Sequence, residues 1–99
     1  MSPALSTIPE MTALPGADLV ELGVRELGAR RETVAALLVS TGATRLRALG
    51  VEVAEPFVDP ESRLYALLSR TEPDSAHARY NALLRRLVSY ERAAECVAP

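Results

Sequence analysis

Lysine and tryptophan are absent from this chain, and histidine, cysteine and phenylalanine occur once each. Each scarcity removes a class of function. With His77 and Cys96 as the sole imidazole and thiol, no zinc site of familiar spacing can be assembled. A single cysteine forms no internal disulfide, which suits a reducing compartment. There is no GxSxG nucleophile motif, no phosphate-cradling glycine loop and no DxD-like carboxylate cluster. No apolar run approaches the roughly 20 residues of a membrane span. The first residues lack the basic start and apolar core of a secretory signal. The expectation is a cytoplasmic protein without cofactor, metal or membrane attachment. The eleven basic residues are all arginine, and alanine is frequent, a bias that points to a GC-rich bacterial coding sequence rather than to function. A net charge of -2 argues against nonspecific binding to a nucleic-acid backbone, which needs a clustered basic surface.

What is present is helical. The chain has 99 residues, enough for one domain, and 48% of them are hydrophobic. A domain of this size buries only about 65% of its extended-chain surface, so its stability margin is modest. Residues 1–15 hold Pro3, Pro9 and Pro15 without a clear period and read as a flexible tail; residues 16–99 read as the helical domain. A first helix is expected from about Ala17, with Leu19, Val20, Leu22, Val24 and Leu27 over a wide arc and Gly28 ending it in a left-handed turn. A second, from about Glu32 to Thr41, is apolar all round at Val34 to Val39. That girdle is either enclosed by the rest of the chain or covered by another chain. Thr44 to Leu49 forms a short third helix. Val51 to Pro56 alternates like a strand but has no second strand to pair with, so it reads as an extended connector. Asp59, Pro60 and Glu61 start a fourth helix, with Asp59 as the N-cap acceptor. The fifth and longest runs from Asp74 to Ala98. Its apolar stripe of Ala76, Tyr80, Leu83, Leu84, Leu87 and Ala94 suggests a spine on which the other four pack. The fold class is therefore all-α, a small single-domain bundle of about five helices with a long C-terminal amphipathic helix.

Two arginines in that last helix, Arg85 and Arg92, lie seven residues apart on its polar side. Ser89 lies between them and Asn81 one turn earlier. Such a row can grip a carboxylate-rich partner or a phosphate, although a solvated face is the commoner use of the pattern. Pairing of Arg92 with Glu95 would be an ordinary helical salt bridge. Glu91 falls near the apolar stripe and so must reach outward, pair with an arginine or sit at an interface. Tyr65, Tyr80 and Tyr90 read as core-edge residues, with Tyr90 sharing an edge with Arg86.

Val24, Leu27, Gly28, Thr33 and Val34 occur at spacings that resemble the helix-turn-helix of DNA-binding proteins. The resemblance implies a turn made at Gly28 and a second helix in the major groove, with Arg30, Arg31 and Thr33 as DNA-contacting residues. The chain departs from that family in the groove-facing helix, which offers Ala35, Ala36, Leu38 and Val39 where base-reading polar side chains are needed.

Three functions compete. The leading one is a non-enzymatic bacterial protein that binds and regulates a protein partner, as antitoxins and adaptors of similar size and composition do. Asn81, Arg85, Ser89 and Arg92, together with Leu38 and Val39 of the apolar girdle, would form its contact surfaces, and a homodimer is compatible with it. The second is a helix-turn-helix transcriptional regulator. The third is a small enzyme using His77 with Asn81 and Arg85 on successive turns, which lacks a recognisable nucleophile or metal.

Overall fold

The computed structural model describes residues 14–97. Five helices follow in order: α1 (Ala17–Gly28), α2 (Val34–Thr41), α3 (Ala43–Ala48), α4 (Pro60–Thr71) and α5 (Ala76–Val97). No strand occurs among the described residues, and residues 51–57 form the extended connector that the lack of a pairing strand requires. The expected tail falls almost wholly on residues 1–13, outside the described residues.

The hub of the fold is α2, not α5. This helix packs against α1, α3, α4 and α5, whereas α5 packs chiefly on α4 and α2. Six consecutive α2 residues, Ala35 to Ser40, are buried. Of the two explanations for its apolar girdle, enclosure by the chain's own helices holds. The helix starts at Thr33, whose hydroxyl accepts from the Ala36 amide at 3.2 Å and donates to the Glu26 carboxylate of α1. One side chain thus caps α2 and ties it to its neighbour. Near the other end, the Ser40 hydroxyl donates to the Ala36 carbonyl at 2.9 Å and accepts from the Phe57 amide at 3.1 Å. The connector is fastened to the hub through that single buried hydroxyl.

The buried face of α1 is narrower than its composition suggests. Ala17, Val20, Gly23 and Leu27 are buried, at spacings of three, three and four, while Leu22 is 37% exposed. Gly23 sits where α1 crosses α2. A Cβ built there would lie 2.4 Å from the Ala35 carbonyl oxygen and 2.4 Å from a Val39 methyl. Only a residue without a side chain permits this approach. The turn after α1 also differs from expectation. Gly28 stays within the helix and does not take a left-handed conformation; Arg30 does, with φ of 58°.

Asp59 occupies the N-cap position of α4, but in a left-handed conformation (φ 51°) that leaves its side chain without a capping hydrogen bond. Arg47 of α3 clasps the connector by donating to the carbonyls of Val53 and Ala54 at 2.9–3.1 Å. On α5 the buried residues are Ala76, Leu83, Leu87, Tyr90, Glu91 and Ala94. The buried stripe therefore includes Tyr90, expected at an edge, while Leu84 is only half-buried.

Candidate functional site

The outward side of α5 follows from the register of its buried side. With Leu83, Leu87, Tyr90 and Ala94 facing the core, Arg85, Val88, Ser89 and Arg92 are left exposed, and Asn81 and Leu84 half-buried. Val88 is 41% exposed, three residues after Arg85 and four before Arg92, so the three lie close together on the helix surface. Leu84, one turn before Val88, extends the apolar line. Leu84, Arg85, Val88, Ser89 and Arg92 line an open hollow of about 380 Å³. A second hollow, of about 450 Å³, adjoins it across Arg85 and Ser89 and reaches Pro15 and Gly16 at the start of α1.

Six of the other arginines are committed to partners, whereas Arg25, Arg31 and Arg70 have none among the described residues, so what sets this row apart is two uncommitted guanidiniums on one helix face with exposed carbon between them. Arg45 pairs with Glu95 at 3.0 Å, Arg63 with Glu32 at 3.2 Å, Arg79 with Glu72 at 3.7 Å and Arg86 with Asp18 at 3.1 Å. Arg30 and Arg47 are held by backbone carbonyls. Among the described residues, Arg85 and Arg92 have neither an ion pair nor a hydrogen bond from their guanidinium groups. The helical pairing expected for Arg92 and Glu95 is not formed, because Glu95 turns to Arg45 on α3. Both guanidiniums on the row remain available, flanking exposed apolar carbon.

Asn81 stands apart from that row in its contacts. Its amide lies 3.2 Å from Nε2 of His77, one turn earlier. His77 meets the edge of the Tyr65 ring at 6.4 Å between centroids, and Tyr65 meets Tyr80 at 5.4 Å. His77 is exposed, and its neighbours at the α4–α5 seam are aromatic rings and an amide. Leu38 and Val39, expected at a contact surface, are both 0% exposed. They are packed inside the chain because α2 is wrapped by the other four helices, and this arrangement offers a partner neither of them.

The helix-turn-helix positions are also put to structural use. Thr33 caps α2 and bonds Glu26. Arg30 donates to the Glu55 carbonyl and stacks over the Phe57 ring at 4.6 Å from its centroid. Arg31 is exposed. The helix that would enter a DNA groove is α2, and its burial leaves it no face for base edges.

Glu91, whose placement was ambiguous in the sequence, lies inside at 8% exposure. Its carboxylate packs against Gly42, the residue that opens α3; a Cβ at Gly42 would come within 2.8 Å of Glu91 Oε2. Burial holds the Glu91 carboxyl above the usual glutamate range, opposed in part by the charge of Arg45. Tyr90 beside it is raised as well, by burial and then by the charge of Glu21. The absence of a side chain at Gly42, like that at Gly23, makes room for a neighbour that periodicity did not reveal.

No group of three or more potential metal ligands occurs among the described residues, and no helix among them is long and apolar enough to cross a membrane. Comparison of the chain with protein-family models, with curated proteins and with solved structures gave no match in any of the three.

Proposed function

We propose that this protein is a non-enzymatic interaction module that binds and regulates a protein partner, antitoxin-like or adaptor-like, through the outer row of α5. The observation that carries the reading is the pairing of exposed carbon with uncommitted charge. Val88 sits between Arg85 and Arg92, with Leu84 beside it one turn earlier, and the two guanidiniums have no carboxylate among the described residues. Apolar contact supplies the affinity of such a surface, and desolvated arginine pairs fix register and exclude mismatched partners. A guanidinium flanking an apolar centre forms two parallel hydrogen bonds to a carboxylate, which a solvated face does not need.

The test is a photo-crosslinking residue placed at Val88 and used in the native host. The expected result is one dominant crosslinked species, abolished by Arg85→Glu with Arg92→Glu and unaffected by Arg70→Glu on α4. Equal crosslinking in all three backgrounds, or none in any, would overturn the proposal.

A further inference from the structure

We infer that the outer row of α5 receives the acidic connector of a second copy of this chain, so that copies associate head to tail; the inference rests on the reading of that row as a contact surface. Among the described residues, the most exposed large hydrophobic side chain is Val58, at 69%. It lies in the connector between Glu55 and Asp59, with Glu61 just beyond, and these three carboxylates form no ion pair among the described residues. Val58 is thus an exposed valine flanked by acids, and Val88 is an exposed valine flanked by arginines.

The spacings agree. Arg85 and Arg92 are seven residues apart on a helix, about 10.5 Å along its axis. Glu55 and Asp59 are four residues apart in irregular chain, a separation of up to about 14 Å that includes the same distance. The connector is also held in place before any contact. Arg47 fixes the Val53 and Ala54 carbonyls, Arg30 the Glu55 carbonyl, and Ser40 the Phe57 amide. A segment already ordered loses little entropy when it docks.

The two patches do not serve each other within one chain. The α5 hollows reach Gly16, at the start of α1, while Glu55 and Phe57 lie against Arg30, just past its end. The 12 residues of α1 hold those ends about 18 Å apart. The contact therefore joins different surfaces of two copies. A heterologous contact leaves one patch open at each end, so association continues beyond a pair or closes into a ring. A connector seated on one helix face is a small interface, which places it in the weak and salt-sensitive class.

The experiment is analytical ultracentrifugation of the whole protein from about 10 μM to about 1 mM, at low and high salt. The weight-average mass is expected to rise with concentration and to fall on adding salt. Val58→Arg should disable the connector, and Arg85→Ser with Arg92→Ser should disable the row; each should weaken association at least about tenfold. Both sets of positions are exposed, and circular dichroism checks that the helices are retained. Mixing the two variants restores one native contact per pair, so the mixture should form a species of two chains and grow no further. A wild-type protein that stays monomeric throughout overturns the inference, as does association that neither variant weakens. A monomeric protein that still crosslinks a different protein through Val88 sinks self-association alone. A monomer that crosslinks nothing removes the interaction module with it.

Discussion

Gly23→Ala should destabilise this protein, although the same change five residues later should stabilise it. At position 23 the new methyl would lie 2.4 Å from both the Ala35 carbonyl oxygen and a Val39 methyl. Non-bonded carbon contacts are comfortable at roughly 3.5–4.0 Å, so α1 and α2 must separate by about 1 Å. The Ala35 carbonyl belongs to the most enclosed helix and cannot rotate away as a long side chain would. Overpacking of this kind costs roughly 1–3 kcal/mol. Against it stands a gain of roughly 1 kcal/mol in helix propensity. The clash is with backbone, so its cost belongs at the upper end, and the net loss should be about 1–2 kcal/mol. At Gly28 a Cβ meets nothing within 4 Å and the backbone is not left-handed. There only the propensity gain remains, about 0.5–1 kcal/mol near a helix end. Because the substitution is identical, its effect on the unfolded chain largely cancels between the two variants. Their difference, about 1.5–3 kcal/mol, isolates the helix–helix contact. Urea denaturation followed by circular dichroism would measure it, and thermal midpoints should separate by roughly 4–8 °C per kcal/mol. Equal stability of the two variants would refute the close approach of α1 to α2.

Glu91 should make stability depend on pH. Its folded-state pKa is raised above the ordinary 4.5 by burial. The folded protein then holds the proton more tightly than the unfolded chain. The associated stability is complete below the unfolded value and is lost as pH rises through the folded one. Glu91→Gln should flatten this slope and leave the protein at least as stable as the wild type at neutral pH; urea midpoints of the two proteins that run parallel as pH rises above the ordinary glutamate value would count against the buried carboxyl. Ser40→Ala would strip the Phe57 amide of its acceptor and the connector of its tie to α2, at a cost of about 1–3 kcal/mol, with faster hydrogen exchange at Phe57 as the local readout. Asp59→Gly should stabilise by about 0.5–1 kcal/mol, since φ is 51° and no capping bond is forfeited; a lower unfolding midpoint would contradict that geometry.

Local signals were legible wherever they depended on near neighbours in the chain. Pro60 at the start of α4 was readable because it acts within a few residues, and the connector at Val51 to Pro56 because no other segment of the chain alternates to pair with it. The same locality misled at Gly28. A glycine near a helix end suggests the left-handed turn, but the chain turns at Arg30, where stacking on Phe57 and a bond to the Glu55 carbonyl hold an unusual backbone. At Asp59 the residue type suited an N-cap, yet its left-handed backbone leaves the side chain without a capping bond. Half of the candidate surface was readable too. Arg85, Val88, Ser89 and Arg92 share a face by helical geometry alone, whereas the exposure of Val88 followed only from the buried register that includes Tyr90.

The sequence by itself determined an all-α fold, with five helices among the described residues and a long amphipathic last one, because helix formation follows from residue spacing and termination. Only the tertiary structure decided which helix is the centre. Periodicity shows that a face is apolar, but not which element covers it. The enclosure of α2 removed Leu38 and Val39 from any exposed surface. The turn of Glu95 toward Arg45 left Arg92 without its helical partner. Gly23 and Gly42 matter through atoms that are distant in sequence, Ala35 and Val39 for one and Glu91 for the other. A missing side chain carries no periodic signal; its meaning appears only when another helix occupies the space.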